Sequence, residues 1–102
     1  CQVCGQQLYQ APDTGYSEVH HIKPLGTPHN GPDVPENMLV LCPNHHTDFD
    51  NGMIAIQPGD YSIVHNYDET LTGSTLYLNQ SHTIAETFLQ YHLNEIAVTS
   101  LI

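Results

Sequence analysis

The sequence is almost devoid of positive charge. Its 102 residues contain one Lys or Arg, Lys23, against 11 Asp and Glu, and the formal net charge is −10. A protein that binds nucleic acid through its own surface usually carries a patch of Lys and Arg side chains. The composition excludes such a surface, so any contact with a polyanion has to rely on bound cations or on another domain.

The chain also lacks tryptophan, and its 3 cysteines cannot all pair within one chain. No apolar run reaches the roughly 20 residues that a membrane-spanning helix needs. Since no signal peptide is recognisable either, we expect a soluble, cytoplasmic protein. A chain of this length forms a single domain with a modest core, and such domains often depend on a bound metal.

Two pairs of metal-binding residues use every cysteine. Cys1 and Cys4 are separated by two residues, and Cys42 and His45 have the same spacing. Thiolate and imidazole suit tetrahedral zinc, and a closed set of four ligands is typical of a structural site. The sequence therefore predicts one structural zinc ion. Free, buried thiols that pack as small apolar side chains are the alternative.

The middle of the chain predicts a strand followed by a short helix. Met38–Leu41 is an apolar run of strand length, and Pro43 suits the first position of a helix. Asn51-Gly52 is a typical helix end. On that helix His46 and Asp50 are four residues apart and share a face. An imidazole and a carboxylate so placed are candidate ligands of a divalent cation.

A pair of adjacent histidines, His20 and His21, lies in a strand predicted over Tyr16–Ile22. Adjacent strand residues point to opposite faces, so a bulge or bend has to reorient His21 if both rings are to reach one site. Hydrolysis of a phosphodiester needs a metal for the leaving oxygen and a base for the attacking water. Two imidazoles can divide these roles; a structural, hydrogen-bonded pair is the alternative.

The second half of the chain predicts a small β/α extension. Its predicted elements are strands at about 53–57 and 61–67, a third candidate strand at 76–78, and a helix at about 84–97. Thr83 and Glu86 match the capping-box pattern at the start of that helix. Residues 6–15 carry turn signals, and the Pro-rich loop at 27–36 is long enough to suggest a function.

Three segments together closely resemble the HNH nuclease family. They are Glu18 to Gly26 (Glu-Val-His-His-Ile-Lys-Pro-Leu-Gly), Pro28 to Asn37 (Pro-His-Asn-Gly-Pro-Asp-Val-Pro-Glu-Asn) and Leu41 to Asp50 (Leu-Cys-Pro-Asn-His-His-Thr-Asp-Phe-Asp). The resemblance covers Cys1 to about Ile56. It implies an α+β, zinc-stabilised ββα-metal fold, in which a two-stranded ribbon packs against a helix that clamps a divalent ion.

The sequence looks most like the HNH domain at the C-terminus of modification-dependent restriction endonucleases, which carry a base-flipping SRA domain upstream. We therefore expect residues 1–102 to be a single HNH domain and the C-terminal part of a longer chain. Within it, residues 1–57 are the expected core and residues 58–102 the extension.

The resemblance also implies a role for each residue of the motif. His20 corresponds to a metal ligand, His21 to the general base, Asn37 to the residue that braces the loop and orients the base, and His46 to the final histidine. Asp50 stands where many members have a further histidine ligand, and a carboxylate suits Mg²⁺ or Mn²⁺ better than imidazole does. The implied cofactors are a structural Zn²⁺ and a catalytic Mg²⁺ or Mn²⁺.

The implied function is that of a metal-dependent DNA endonuclease domain, the cleavage module of a modification-dependent restriction enzyme. Its partner is then double-stranded, modified DNA, bound mainly through an upstream recognition domain, and homodimerisation is left open. Two alternatives remain. One is a non-catalytic, zinc-stabilised interaction module, which the acidic composition favours, and the other is a hydrolase of small phosphoesters.

The other histidines and the single lysine receive less specific interpretations. We expect His65, His82 and His92 at the surface or in packing contacts. His29 lies in the Pro-rich loop and Lys23 follows the histidine pair. Both are candidates for contact with DNA phosphate, with solvent exposure as the alternative.

Overall fold

The structure, a computed structural model, describes residues 1–98, and these have an α+β fold of three two-stranded antiparallel sheets and two α-helices. In chain order the strands and α-helices are β1 (Leu8–Ala11), β2 (Thr14–Tyr16), β3 (Glu18–His21), β4 (Met38–Leu41), α1 (Pro43–Asp50), β5 (Ile54–Ile56), β6 (Ile63–His65) and α2 (Glu86–Glu95), and a short 3₁₀-helix at Pro35–Asn37 precedes β4. Strands pair as β1–β2, β3–β4 and β5–β6. The ribbon β3–β4 followed by α1 is the predicted ββα unit. Neither helix within the described residues is long and apolar enough to cross a membrane.

Alternation along the ribbon separates a buried face from an exposed one. Leu39 of β4 is fully buried, whereas the next residue, Val40, is exposed. His20 pairs with Leu39, in a register that continues without a shift over the whole of β3. The buried face packs against α1, whose Phe49 is also buried. This face of β3 therefore directs His20 and Glu18 toward the helix.

Helix α1 begins and ends where the sequence predicts. Pro43 is its first residue, and the carbonyl of Cys42 accepts the N–H of His46 at 2.9 Å. The chain leaves the helix through Gly52, which has a φ of +69°. A Cβ at Gly52 would meet the carbonyl oxygen of Ile96 at 2.2 Å. Glycine is therefore required for the end of α1 to pack against the residues that follow α2.

One continuous core joins the ββα unit to the C-terminal extension. Its buried side chains come from both parts of the chain: Val3, Ile22, Leu39, Leu41, Phe49, Ile54, Ile56, Ile63, Leu76, Ile84 and Leu89. Full burial of one such large side chain contributes about 1.5–3 kcal/mol. The extension therefore stabilises the unit that carries the candidate site.

The capping box predicted at Thr83 does not form. Ala85 precedes the first residue of α2, Glu86, and no side chain caps the helix. The N–H of Ala85 instead donates to the carbonyl of Glu36 at 3.0 Å. Because Ile84 is buried in the core, tertiary contacts rather than a local cap decide where α2 starts.

Two further differences concern strands. Residues 6–15, where we expected turns, contain β1 and the start of β2, and the hairpin turn lies at Pro12-Asp13. The candidate strand at 76–78 is absent, and an isolated bridge between Ser62 and Thr75 takes its place. Strand β1 and the start of β2 are mostly exposed and lack the apolar alternation by which a strand is predicted, whereas the N–H of Leu76 donates to the carbonyl of Tyr61 without a regular ladder.

Candidate active site and metal centres

Three of the predicted metal ligands converge between β3 and α1. The Nδ1 of His20 lies 3.4 Å from the Oδ1 of Asp50, and the Nε2 of His46 lies 3.6 Å from the Oδ2 of Asp50. One ligand atom from each of the three residues lies within 4.8 Å of the other two. The strand supplies His20, and one face of the helix supplies the other two. Two imidazoles and a carboxylate so arranged fit a divalent cation that keeps positions open for substrate and water.

Glu18 orients His46 within this group. Its Oε1 accepts a hydrogen bond from the Nδ1 of His46 at 3.0 Å, and its Oε2 accepts one from the Tyr16 hydroxyl at 2.7 Å. The bond from Tyr16, followed by that from His46, lowers the pKa of Glu18. The proton of the neutral His46 ring is therefore on Nδ1, which leaves Nε2, facing Asp50, free to bind a metal. Sequence reasoning missed this role, although Glu18 lies two residues before His20 on the same strand face, which is a usable signal.

His20 is buried and held neutral. Its side chain is 4% exposed and packs against the rings of Phe49 and His92, with centroid separations of 5.1 and 6.3 Å. Burial disfavours the charged ring and, with the nearby histidines, lowers the pKa of His20 to about 3. Within the described residues its Nε2 has no hydrogen-bond partner. A neutral imidazole offers its lone pair to a metal at physiological pH, which fits the predicted ligand role.

The next residue, His21, is held by Asp33 of the Pro-rich loop. The Nε2 of His21 lies 2.8 Å from the Oδ1 of Asp33. Because an ionised carboxylate only accepts, Nε2 donates the hydrogen, and the Nδ1 of the neutral ring keeps a lone pair. Sequence reasoning missed Asp33, since a single carboxylate in a loop carries no local signal.

No bulge separates His20 from His21, although we expected that a bulge or a bend has to reorient His21 if both rings are to reach one site. Strand β3 pairs regularly with β4 through His21 and Met38. The ladder stays intact because the chain turns only afterwards, where the N–H of Ile22 donates to the carbonyl of Asn37 at 2.9 Å. A hydrogen bond from the loop, rather than a kink in the strand, therefore sets the orientation of the His21 ring.

Asn37 holds that loop together. Its Oδ1 accepts the backbone N–H of Lys23 at 2.8 Å, and its Nδ2 donates to the carbonyls of Lys23 and Pro32, each at 2.9 Å. The N–H of Gly31 closes the same loop on the carbonyl of Pro24 at 2.8 Å. A Cβ at Gly31 would lie 1.9 Å from the carbonyl oxygen of Lys23. Asn37 thus fixes the backbone on both sides of the segment that reaches Asp33.

The second predicted metal group, Cys1, Cys4, Cys42 and His45, also comes together, with ligand atoms within 4.8 Å of one another. The Nδ1 of His45 lies 3.5 Å from the Sγ of Cys1 and 3.3 Å from the Sγ of Cys42. Tetrahedral zinc with ordinary bond lengths separates a sulfur from a nitrogen ligand by about 3.6 Å. Burial raises the pKa of Cys4, so the thiolate of this residue needs a bound cation for its stabilisation. The donor set fits zinc.

Gln2 attaches the N-terminal pair of this group to the ribbon. Its backbone N–H donates to the carbonyl of Val40 at 2.8 Å, and its side-chain Oε1 accepts the N–H of Val40 at 2.7 Å. Val40 lies two residues before Cys42 in the chain. These two bonds therefore bring Cys1 and Cys4 to the start of α1.

The remaining histidines that we expected in packing contacts are hydrogen-bonded. His92 donates to the carbonyl of Phe49, His65 bonds the carboxylate of Asp48, and His82 bonds the side-chain amide of Gln2. His92 and His65 are buried. Burial also lowers the pKa of His92, so this ring packs against His20 in its neutral form.

Lys23 and His29 lie together against Tyr91 of α2. The Nζ of Lys23 is 4.6 Å from the centre of the Tyr91 ring, and the Nδ1 of His29 is 2.6 Å from the Tyr91 hydroxyl. A cation over an aromatic face gains about 0.5–2 kcal/mol. Helix α2 therefore anchors the loop that follows β3, and neither Lys23 nor His29 belongs to the two metal groups.

Comparison with known proteins agrees with this geometry. Residues 1–57 match the HNH endonuclease family. Among solved structures the chain is similar to a modification-dependent TagI restriction endonuclease, with 37% identity and a TM-score of 0.82. That similarity covers 100% of this chain and 36% of the restriction endonuclease chain. No curated protein matches. Because the family match extends over more than half of the sequence and includes both metal groups, the chain belongs to the HNH endonuclease family.

Proposed function

We propose that this chain is a metal-dependent DNA endonuclease domain, the cleavage module of a modification-dependent restriction enzyme. The observation that carries the proposal is the convergence of His20, His46 and Asp50, with His21 next to them in the chain and held by Asp33. Membership of the HNH family and the similarity to a restriction endonuclease support the same function.

We assign a catalytic Mg²⁺ or Mn²⁺ to His20, His46 and Asp50. A cation held by these residues would offset charge on the phosphate and on the leaving oxygen. Burial keeps His20 neutral, and Glu18 keeps the lone pair of His46 on Nε2. Asp50 supplies the oxygen ligand that hard cations prefer. These residues hold their ligand atoms in place before the substrate arrives.

We assign the general base to His21. Its Nδ1 takes a proton from the attacking water, while Asp33 accepts the hydrogen on Nε2 and stabilises the charged ring that results. Asn37 acts on this base through the backbone, because it holds the loop that presents Asp33. Asn37 is therefore a positioning residue in this mechanism.

Cys1, Cys4, Cys42 and His45 hold a structural zinc ion in this proposal. The ion joins the N-terminus of the chain to the first turn of α1, the helix that carries His46 and Asp50. Binding energy at such a site is folding energy, since the unfolded chain has no preformed set of ligands. The zinc therefore stabilises the helix on which the catalytic ion depends.

Modified double-stranded DNA is bound mainly through another domain in this proposal. The net charge of −10 and a single lysine cannot neutralise many phosphates. We place residues 1–57 as the catalytic core and 58–102 as its extension, together one domain of a longer protein. Support comes from the similar restriction endonuclease, of whose chain this sequence covers 36%.

A non-catalytic interaction module is the second candidate, and the acidic composition favours it. Cleavage of supercoiled plasmid separates the candidates, assayed with Mn²⁺ or Mg²⁺ on modified and unmodified DNA, with and without excess chelator. A nuclease nicks the plasmid only with free metal, whereas a module leaves it intact under every condition. Hydrolysis of bis(p-nitrophenyl) phosphate without plasmid cleavage would instead identify a small-phosphoester hydrolase, and cleavage that persists in chelator would exclude the proposed mechanism.

A further inference from the structure

We propose that Asp48 fixes the zinc ligand His45 by accepting a hydrogen bond from its second ring nitrogen. Hairpin β5–β6 and the residues just after it hold Asp48 in position. The inference rests on the zinc site proposed above, and it gives the C-terminal extension a part in that site.

The orientation of His45 decides which nitrogen is available. Nδ1 is the atom that lies 3.5 and 3.3 Å from the Sγ atoms of Cys1 and Cys42. With Nδ1 bound to the metal, the hydrogen of the neutral ring is on Nε2. Metal-binding histidines almost always donate this second N–H to a carboxylate, a carbonyl or a water.

Asp48 is a carboxylate that lies close to the ring of His45. It follows His45 by three residues on α1, so both side chains share one helix face. One ligand atom each of His45, Asp48 and His65 lies within 4.8 Å of the other two. The three line a cavity of about 390 Å³. A direct hydrogen bond or a single bridging water in this cavity connects the Nε2 of His45 to Asp48.

His65 orients Asp48, and both of its ring nitrogens are engaged in hydrogen bonds. Its Nδ1 accepts the backbone N–H groups of Tyr67 and Asp68, at 3.2 and 3.0 Å. The hydrogen of its ring is therefore on Nε2, which donates to the Oδ2 of Asp48 at 3.0 Å. No lone pair of His65 remains for a cation, so these residues form a hydrogen-bonded network rather than a third metal site.

Tyr67 binds the second carboxylate oxygen of Asp48. The hydroxyl donates to the Oδ1 of Asp48, and the ring packs edge-on against His65 with a centroid separation of 4.3 Å. Donors to the ionised form stabilise a buried carboxylate. Because a carboxylate has about four acceptor positions, the donors from Tyr67 and His65 leave room for the hydrogen of His45.

Zinc affinity of Asp48→Asn and Tyr67→Phe tests this network. Each protein is titrated against a chromophoric chelator at pH 7.5, and folding of the zinc-saturated variants is checked by circular dichroism. Loss of a carboxylate behind a metal ligand typically weakens metal binding by ~10 to 100-fold, which we expect for Asp48→Asn, with a smaller loss for Tyr67→Phe. The control is Asp68→Asn, which removes one charge from the same cavity; its carboxylate bonds Thr70, and we expect unchanged affinity.

Nitrogen-15 NMR of the wild-type ring gives a second readout that does not depend on any variant. We expect His45 with a metal-bound Nδ1 and a slowly exchanging Nε2 hydrogen, and faster exchange in Tyr67→Phe. Metal on Nε2, or equal zinc affinity of Asp48→Asn, Asp68→Asn and the wild type, would overturn the inference while leaving the zinc site intact. Absence of zinc from the purified protein would instead refute the zinc site itself.

Discussion

The carboxylate of Glu18 accepts a 3.0 Å hydrogen bond from the Nδ1 of His46, and this bond connects β3 to α1 across 28 positions of the chain. It determines which nitrogen of His46 faces Asp50. His20 projects from the same face of β3. The strand therefore sets the geometry of the candidate site, whose other proposed ligands are on the helix.

Removal of the Glu18 carboxylate should therefore weaken the catalytic metal. We expect Glu18→Ala to raise the Mn²⁺ dissociation constant by ~10 to 100-fold, because the His46 ring loses its orientation. Glu18→Gln should retain most of the affinity, since an amide oxygen still accepts the hydrogen bond. Titration calorimetry measures both, with Glu69→Ala as the control for loss of an exposed carboxylate. Equal affinities of Glu18→Ala and the control would contradict this role.

One zinc ion per chain should be present, held by Cys1, Cys4, Cys42 and His45. Cys42→Ser should lose the ion and the folded state with it, because metal binding of this type is coupled to folding. Elemental analysis of purified protein measures the zinc, and circular dichroism before and after chelation measures the fold. Zinc-free protein whose fold is unaffected by chelator would exclude the site.

Unmodified duplex DNA should bind to residues 1–102 with a dissociation constant weaker than micromolar at physiological salt. Phosphate neutralisation by Lys and Arg dominates non-specific affinity, and the single lysine lies over the ring of Tyr91. Fluorescence anisotropy with a labelled duplex makes the measurement. Micromolar or tighter binding would reveal a DNA-contacting surface that the charge does not explain, and the loop at 27–36 would be the first place to look.

Stability of the protein free of Mg²⁺ and Mn²⁺ should fall as the pH is lowered from 7.5 to 5.5. The pKa of His20 is about 3 in the folded state, against an ordinary value of 6.5 in an unfolded chain. Between these two pH values the His20 side chain is protonated in the unfolded state and neutral in the folded state. The contribution of neutral His20 to the free energy of unfolding is fully present above pH 6.5. It is lost as the pH falls toward 3, by at most about 1.4 kcal/mol per pH unit. Urea unfolding at the two pH values should show a smaller loss for His20→Gln, and an identical loss would contradict the burial of a neutral ring.

Local patterns predicted the elements whose signals lie within a few residues. Helix α1 follows from Pro43 at one end and Gly52 at the other, and its spacing places His46 and Asp50 on one face. The second candidate metal group was predicted because each of its two pairs of residues has its own recognisable spacing. Within the helix and within each pair the geometry is fixed by distance along the chain, whereas the bonds between Gln2 and Val40 bring the two pairs together.

Contacts between distant segments could not be predicted in the same way. Asp33 meets His21 only because the bonds of Asn37 and Gly31 fold the loop back on itself. The sequence around Asp48 indicates only a position on a helix. Its partner His65 lies on β6 and reaches it through the docking of hairpin β5–β6. Such partners depend on the path of a loop or the docking of a hairpin, and no periodicity in the sequence encodes either.

Plasmid cleavage by the full-length His21→Ala and Asp50→Ala variants across a Mn²⁺ titration separates the base from the metal ligands. His21→Ala should cleave ~100 to 10,000-fold more slowly at every Mn²⁺ concentration while keeping both metals, because the substitution removes the group that accepts a proton from the attacking water. Asp50→Ala should regain part of its activity at high Mn²⁺, because it loses a ligand and keeps the base. Cleavage by His21→Ala at the wild-type rate, or its rescue by Mn²⁺ to the same extent as Asp50→Ala, would contradict the assignment and make His20 the candidate base.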